Sequence, residues 1–201
     1  MEKSNIHEKI KLLTGNGMWH TQETEDLPSV HLSDGPHGLR KQEEKERQNN
    51  VSLVSTCYPT ASALACSWDV TAAERLGRAV AKEAWNADVA VLLGPGINMK
   101  RSPLCGRNFE YFSEDPFLAG RLGAAYVSAA QGEDVAVSLK HFAANNQETN
   151  RQTSNSQIDE RALREIYLSA FEYVVKTARP ATVMASYNLS LIHISEPTRR
   201  S

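Results

Sequence analysis

Short apolar runs alternate along the chain with longer stretches in which apolar residues recur every three or four positions. The short runs predict four β-strands, at residues 29–33, 89–93, 135–139 and 181–186. The second run is apolar throughout, which is typical of a parallel strand covered on both faces. A helical pattern follows each of these runs or lies close to it.

The helical stretches have recognisable ends. Asp115 followed by Pro116 is an N-cap with proline at the first helical position, and Gly132 ends that helix. Asp159 can cap the helix before the fourth strand. The helix between the first and second strands has an apolar stripe of Ala73, Leu76, Val80 and Ala84. The helix capped by Asp159 has a stripe of Leu163, Ile166, Tyr167, Ala170, Phe171, Val174 and Val175. A leading helix would carry Ile6, Ile10 and Leu13 and end at Gly15.

Strands that alternate with helices predict right-handed crossovers and a parallel sheet. Four such units make half of an eightfold barrel, and a whole barrel takes about 250 residues. A doubly wound open sheet is the alternative, but no glycine-rich phosphate-binding motif follows any strand. The pattern therefore predicts an α/β fold and fits a partial (β/α)8 barrel of about four βα units of the eight, with the open sheet as the alternative.

The longest connections, 35–58, 94–114 and 142–157, mostly follow strands, so chain has been added at the edge where α/β folds place their sites. Polar or charged residues stand at three strand ends, and the loop after the second strand adds two arginines. These residues are Asp34, Lys140, His141, Tyr187 and Asn188, with Arg101 and Arg107 from the loop. A carboxylate and several cations in one mouth suit the hydroxyls of a neutral polyol.

Simpler interpretations exist for each of these residues. The sequence Asp-Gly-Pro at 34–36 is also an ordinary turn, and Lys140 with His141 could be a solvated loop end. Glu114 and Asp115 are explained by helix capping, and the charged run at 41–47 by a solvated loop.

Composition and net charge limit the classes of molecule that the chain is expected to bind. Lys and Arg number 22 against 24 Asp and Glu, a net charge of −2, which favours neither nucleic acid nor an anionic membrane. The sequence has no apolar stretch of signal-peptide or membrane-spanning length, so a cytoplasmic location is expected. The three cysteines have no CxxC spacing, and we expect neither a metal nor a cofactor.

Four segments together resemble the signatures of glycoside hydrolase family 3, in that family's order. They are DGPHGLR at 34–40, LGPGIN at 93–98, GRNFEYFSEDP at 106–116 and KHFAANNQE at 140–148. With MASYN at 184–188 the resemblance extends over residues 1–188. It implies a β-glucosidase-type enzyme with a TIM-like first domain and a retaining mechanism. The fold that the resemblance implies for this chain is a partial (β/α)8 TIM-like barrel with about four of its eight βα units.

The resemblance also assigns substrate-binding roles. Asp34 would accept hydrogen bonds from the sugar hydroxyls, and the cations and the histidine would donate to them. Tyr187 would lie beside the nucleophile and Met184 would line the pocket, while Arg40 would support the loop that carries Asp34. The implied substrate-binding set is Asp34, Arg107, Lys140, His141, Arg151, Met184 and Tyr187.

The catalytic carboxylates of the family have no counterpart here. Its nucleophile is the aspartate of a Ser-Asp-Trp-type motif after a later strand, and the glucosidase acid/base is a glutamate from a further domain. Neither is found in these residues, so we expect no catalytic residue in this chain and no activity from it alone. The N-acetylhexosaminidase branch places a His-Asp pair in the loop after KHF, where this chain has AANN at 143–146, so that branch is disfavoured.

The last residues depart from the family. Residues 189–201 match the in-frame translation of a transposase-type sequencing adapter, and we expect them to be an artefact rather than a genuine divergent tail. The expected organisation is therefore a half-barrel over 1–188 followed by an unrelated tail over 189–201.

The functional expectation is hydrolysis of terminal β-D-glucosidic bonds by the full-length enzyme. The partners would be a β-glucoside or related oligosaccharide and the missing C-terminal half of the same enzyme. Two alternatives stay open: a β-xylosidase or arabinofuranosidase of the same family, and a non-catalytic sugar-binding half-barrel.

Overall fold

The computed structural model describes residues 6–42 and 51–187. The elements run in the order α1 (Ile6–Lys11), β1 (Gly15–Asn16), β2 (His20–Thr21), β3 (Leu32–Asp34), α2 (Ala61–Ala65), α3 (Val70–Asn86), β4 (Val91–Leu93), α4 (Pro116–Gln131), β5 (Ala136–Phe142), α5 (Glu160–Ala162), α6 (Ser169–Ala178) and β6 (Thr182–Ala185). A 3₁₀ turn, Asn108–Glu110, precedes α4, and a π-helical turn, Leu163–Tyr167, joins α5 to α6.

Strands β3, β4, β5 and β6 form one parallel sheet in which neighbours in space are also neighbours in sequence. A doubly wound sheet would reverse its strand order at some point, whereas a barrel adds each strand to the same edge. The α/β fold and the partial TIM-like barrel are thus confirmed.

The hydrophobic core lies between one face of the sheet and the helices α3, α4 and α6. Leu92, Val137 and Leu139 on that face are fully buried. All four predicted stripe residues of α3 are buried as well, because they pack under this layer. Helices α3 and α4 approach closely at Gly77, where a methyl group would lie 2.5 Å from the Tyr126 carbonyl oxygen.

Within residues 6–42 and 51–187, no helix covers the opposite, inner face of the sheet. Leu32, Val91 and Ala136 share one row across three strands, and all three are only half-buried. In a complete barrel this face is filled by layers of side chains from all eight strands. The inner face of this half-barrel is therefore accessible.

A second exposed apolar region borders β6, the last strand of the sheet. A groove of about 580 Å³ lies between β6 and α6. Its apolar lining comes from Phe142, Leu168, Phe171, Val175, Val183 and Ala185. The edge of β6 and this groove form the place where a further βα unit of a barrel would pack.

The strand boundaries differ from those predicted. β3 begins at Leu32 rather than residue 29, because residues just before it bond to β2: the Val30 carbonyl accepts from the Thr21 N–H at 3.1 Å. β4 begins at residue 91 rather than 89. β5 continues to Phe142, so Lys140 and His141 lie within the strand and not after it.

The predicted helix ends at Asp115 and Asp159 are confirmed. The carboxylate of Asp115 accepts from two backbone N–H groups of α4, and that of Asp159 accepts from Ala162 N–H at 2.9 Å. The single helix predicted after the Asp159 cap, with its apolar stripe from Leu163 to Val175, is instead α5, a π-helical turn and α6. The leading helix ends at Lys11, before Leu13, and none of its residues is buried.

Periodicity gave no sign of α2 or of the β1–β2 hairpin, since both are too short to show a repeat. The predictions for Asn188, for residues 189–201 and for most of the charged run at 41–47 lie outside the described residues. Within residues 6–42 and 51–187 no helix is long and apolar enough to cross a membrane. The cytoplasmic location stays a prediction.

Candidate functional site

Two polar side chains project from strand ends onto the inner face. Asp34 is the last residue of β3, and Lys140 lies near the end of β5, 106 positions later. Lys140 Nζ donates to Asp34 Oδ1 at 3.3 Å. The Asp34 side chain keeps 35% of its surface exposed, against 3% for Lys140, so the carboxylate is the accessible member of the pair.

A register shift in β5 separates the inner from the outer side chains. Lys140 pairs with Met184 of β6, and the register then shifts so that Phe142 pairs with Ala185. Phe142 turns to the helices and packs edge-on against Phe171, with ring centroids 5.3 Å apart. Such an irregularity re-aims neighbouring side chains, and here it leaves Lys140 on the inner face.

A buried carboxylate, Glu110, lies on the other side of Lys140. It belongs to the 3₁₀ turn in the loop after β4, and only 6% of its side chain is exposed. Glu110 Oε2 lies 3.5 Å from Lys140 Nζ. Lys140 is thus a buried cation between two carboxylates, which supplies the counter-charge that a desolvated ammonium requires.

Arg107 shares that carboxylate. Its Nε donates to Glu110 Oε1, and its Nη2 lies 2.7 Å from His141 Nε2. Burial alone would lower the pKa of Arg107, but the adjacent Glu110 carboxylate outweighs burial and raises that pKa. We call Asp34, Arg107, Glu110, Lys140 and His141 the Lys140 cluster.

His141 is a neutral member of this cluster. Burial first, and then the charges of Arg107 and Lys140, lower its pKa to about 2. Arginine can only donate, so His141 Nε2 accepts from Arg107 and the ring proton is on Nδ1. Nδ1 lies 3.3 Å from Asn98 Oδ1 and 3.2 Å from Tyr111 Oη, and burial raises the pKa of Tyr111.

The loop after β4 runs beside the end of β5 and holds it in place. Ile97 N–H donates to the Lys140 carbonyl at 2.9 Å, and Lys140 N–H donates to the Pro95 carbonyl at 3.1 Å. Asn98 then bonds both backbone groups of His141, at 2.7 and 2.8 Å. The strand that carries Lys140 is therefore fixed through its backbone, by the backbone of residues 95–97 and by the side chain of Asn98.

The loop after β5 adds an outer rim. Glu148 accepts from Arg151 Nη1 at 3.0 Å and from Asn145 Nδ2 at 3.1 Å, and it lies 3.9 Å from Arg107 Nε. The Arg151 guanidinium sits over the Tyr187 ring, 5.2 Å from its centroid, which is a cation–π contact. Arg151 and Tyr187 are thereby connected to the Lys140 cluster through Glu148.

Six of the seven predicted substrate-binding residues form this continuous set of contacts, and Met184 lies beside Lys140 in the strand register. Arg101 does not join them, because it is exposed and lies 6.0 Å from the centre of the Tyr167 ring. Arg40 holds the Asp34 turn through its backbone: its N–H donates to the Asp34 carbonyl at 2.9 Å. The binding roles themselves stay predictions.

Sequence reasoning missed five residues of the site: Glu110, Asn98, Tyr111, Asn145 and Glu148. A carboxylate three positions after Arg107, between Phe109 and Tyr111, was a usable signal for a buried acid in Glu110. Nothing in the sequence pairs Asn98 with His141, because that contact depends on how the loop lies against β5.

The arrangement suits binding better than chemical attack. Three carboxylates, Asp34, Glu110 and Glu148, each face a cation, and both oxygens of Glu110 are occupied. Lys140 and Arg107 keep further N–H groups, and Asp34 is accessible from the inner face. Within the part of the chain that the structure describes, no group of three His, Cys, Asp or Glu residues could hold a metal ion.

Comparison with known proteins gives a consistent picture. Residues 34–194 match the model described as the glycosyl hydrolase family 3 N-terminal domain. The chain is 51% identical over 192 residues to the thermostable beta-glucosidase B of Acetivibrio thermocellus, covering 94% of this chain and 25% of that protein. It is 48% identical to an exo-alpha-(1->6)-L-arabinopyranosidase of Bifidobacterium longum, covering 91% of this chain and 25% of that protein.

A solved structure shares the fold as well as the sequence. The crystal structure of the beta-glucosidase from Kluyveromyces marxianus in complex with glucose matches with a TM-score of 0.86 and 44% identity, covering 92% of this chain and 22% of that chain. The chain thus spans about a quarter of the length of the curated relatives it matches.

Proposed function

The chain belongs to glycosyl hydrolase family 3, and from that premise we propose that the protein containing it hydrolyses terminal β-D-glucosidic bonds. Relatives named beta-glucosidase at 51% and 47% identity support this activity. The glucose complex of the Kluyveromyces marxianus enzyme supports glucose as the sugar.

The observation that carries the proposal is the Lys140 cluster on the open inner face. A sugar hydroxyl both donates and accepts, so it can bind an exposed carboxylate and a nearby cation together. Asp34 is that carboxylate, 3.3 Å from Lys140, and Arg107 supplies a second cation. In this proposal they bind the hydroxyls of the sugar in the reaction subsite, with Met184 and Tyr187 along the wall.

We propose a retaining mechanism whose catalytic carboxylates lie outside these residues. Such a mechanism needs a nucleophile and an acid/base about 5 Å apart, both free to react. Glu110 has no free oxygen, Glu148 is bound by Arg151, and Asp34 faces Lys140. The chain then contributes hydroxyl contacts that strengthen in the transition state.

His141 has a less direct role in this proposal. Its Nε2 accepts from Arg107, and its Nδ1 proton points to Asn98 and Tyr111. No N–H of the neutral ring is then left for the sugar, so His141 orients Arg107 rather than the substrate. Direct donation from His141 to a hydroxyl stays a prediction that a ligand complex can test.

A second candidate activity has its own support. The Bifidobacterium longum relative, 48% identical, carries the name of an enzyme for α-(1→6)-L-arabinopyranosides. Removal of an L-arabinopyranosyl unit is therefore the second candidate. A β-xylosidase or arabinofuranosidase, or a non-catalytic sugar-binding half-barrel, has no comparable observation in its favour.

A chimeric enzyme tests the proposal. Residues 1–187 of this chain replace the equivalent segment of the Acetivibrio thermocellus enzyme, and a second chimera uses the Bifidobacterium longum enzyme; we call these the glucosidase and arabinosidase chimeras. Each is assayed on nitrophenyl β-D-glucoside, β-D-xyloside and α-L-arabinopyranoside, with NMR detection of the first sugar anomer released.

We expect the glucosidase chimera to cleave the glucoside and to release β-glucose first, as retention requires. We also expect this chain to move the preference of the arabinosidase chimera towards glucoside. A folded glucosidase chimera without activity would support the non-catalytic alternative, and an arabinopyranoside preference in both chimeras would support the second candidate.

A further inference from the structure

Glu110 is the least exposed carboxylate of the Lys140 cluster and touches both of its cations. Its Oε1 accepts from Arg107 Nε, and its Oε2 lies 3.5 Å from Lys140 Nζ. Arg107 belongs to the loop after β4, whereas Lys140 belongs to β5. One buried carboxylate therefore joins two cations from separate elements.

We propose that Glu110 is a positioning residue for sugar binding: it aims Arg107 and Lys140 at the hydroxyls without touching the sugar. This inference rests on the proposed function, because it concerns the same site. It gives Glu110 a role distinct from that of Asp34, whose carboxylate is accessible and can bind a hydroxyl itself.

The charges around Glu110 explain why a carboxylate is needed there. His141 contacts Arg107, but an imidazole is either neutral or positive and cannot supply a negative counter-charge to it. Asp34 reaches Lys140 and is partly solvated, and Glu148 lies 3.9 Å from Arg107. Without Glu110, the positive charges of Arg107 and Lys140 would be only partly neutralised. The two side chains would then turn towards the carboxylates that remain, Glu148 and Asp34.

The donors left over point to the sugar. Arg107 donates from Nε to Glu110 and from one Nη2 hydrogen to His141, so the two Nη1 hydrogens and one Nη2 hydrogen are left for other acceptors. Lys140 has three N–H groups and faces two carboxylates. Because Glu110 holds Arg107 through Nε and Lys140 through Nζ, the N–H groups of both cations that are not bonded to protein keep a constant direction.

Glu110 is not a candidate nucleophile or acid/base. Both of its oxygens face cations, and 6% of its side chain is exposed, so neither oxygen can approach an anomeric carbon or a leaving group. A positioning role is the one that its contacts permit.

The test uses the glucosidase chimera with Glu110→Gln. Glutamine keeps the shape but offers one acceptor oxygen for two cations, since its amide nitrogen donates. The kcat/KM is measured on nitrophenyl β-glucoside and on its 2-, 3-, 4- and 6-deoxy analogues. Glu114→Gln is the matched control, because Glu114 is an exposed carboxylate in the same loop.

We expect Glu110→Gln to lower kcat/KM on the glucoside by about tenfold or more, which is the loss of one charge-assisted hydrogen bond. One of the deoxy analogues lacks the hydroxyl that Arg107 or Lys140 binds. For that analogue the ratio of kcat/KM in Glu110→Gln to kcat/KM in the unmutated chimera should return towards one, because the contact that Glu110 positions is already absent. Glu114→Gln should leave every ratio unchanged.

The same fractional loss on all five substrates, or no loss at all, would overturn the inference. If Glu110→Gln does not fold, Glu110→Asp gives the same ratio test, since it keeps the charge and moves it by one methylene. The rate of the unmutated chimera tests the proposed function, whereas the pattern of ratios tests Glu110, so each claim fails on a different measurement.

Discussion

Asn98 binds the backbone of His141 through both of that residue's polar groups. Asn98 Nδ2 donates to the His141 carbonyl at 2.8 Å, and Asn98 Oδ1 accepts from the His141 N–H at 2.7 Å. Both residues are buried, in a loop and a strand 43 positions apart. These two bonds fix the C-terminal end of β5, from which the side chains of Lys140 and His141 enter the site.

Replacing Asn98 with alanine should therefore damage fold and site together. It leaves a buried N–H and a buried carbonyl without partners, which we expect to lower the free energy of unfolding of the glucosidase chimera by about 2–4 kcal/mol. Urea unfolding measures this. Asn108→Ala is the control, because Asn108 makes a similar bond to the Ser102 carbonyl at 2.7 Å in an exposed position. Equal losses of unfolding free energy in the two variants would contradict the proposed importance of the two bonds from Asn98 to the His141 backbone.

Asp34→Asn should preserve the fold and impair catalysis. The amide keeps the size of the side chain but loses the charge that faces Lys140 at 3.3 Å and accepts from sugar hydroxyls. We expect kcat/KM of the glucosidase chimera to fall by about a hundredfold, with the melting temperature nearly unchanged. Asp115→Asn makes the same chemical change at a helix cap, where asparagine serves as well. Near-normal kcat/KM in Asp34→Asn would return Asp34 to the role of a turn residue.

His141 should stay neutral down to low pH. Its pKa in the folded protein is about 2, below the ordinary 6.5, so the unfolded chain binds the proton first as pH falls. Stability is then complete above pH 6.5 and decreases towards pH 2, by up to about 1.4 kcal/mol per pH unit for this group. Burial also lowers the pKa of His37, which adds to the same trend.

Nitrogen NMR of the histidine ring in the glucosidase chimera measures this directly. We expect a proton on Nδ1, none on Nε2, and no titration between pH 4 and pH 8. In His141→Gln the free energy of unfolding should fall less steeply below pH 6.5, because unfolding then takes up about one proton fewer. An imidazolium signal appearing between pH 5 and pH 7 would contradict the neutral ring.

The groove beside β6 should drive self-association of the isolated chain. Val183 is 45% exposed on β6, whose outer edge pairs with no strand among the described residues, next to an apolar groove of about 580 Å³. Val183→Lys should reduce the mass measured by light scattering. Leu104→Lys, at another exposed apolar residue, should not. The same Val183→Lys change should destabilise the glucosidase chimera, where a following unit covers the groove. A monomeric unmutated chain would refute this.

Periodicity was enough to predict an α/β fold with a parallel sheet, and strand-end chemistry pointed to most of the cluster, whereas the choice of a half-barrel and of the binding set came from the family resemblance. Asp34 and Lys140 were identifiable because parallel strands bring their carboxyl ends to one edge. Strand-end chemistry did not separate Arg101 from Arg107, since both lie in the loop after β4, and only the family resemblance selected Arg107. The path of that loop, which has no repeating pattern to predict from, brings Arg107 to Glu110 and leaves Arg101 exposed. The buried position of Glu110 depends on the same path.

The strand ends show a second limit. Lys140 and His141 were expected after β5, but pairing of Lys140 with Met184 and of Phe142 with Ala185 in β6 extends the strand past them, and the loop after β4 adds bonds to the backbone of both residues. Strand length here is set by neighbouring segments and not by local apolar content. For the same reason, the Val30 contact with β2 shortens β3 although residues 29–31 favour a strand.

The central claim is that this chain contributes sugar-binding residues but no catalytic pair. Nitrophenol release from nitrophenyl β-glucoside is measured for the isolated 201-residue chain and for the glucosidase chimera side by side. We predict turnover by the chimera and none by the isolated chain, because retention requires a nucleophile that the cluster does not offer. Turnover by the isolated chain within about a hundredfold of the chimera, abolished by Asp34→Ala, would contradict the account.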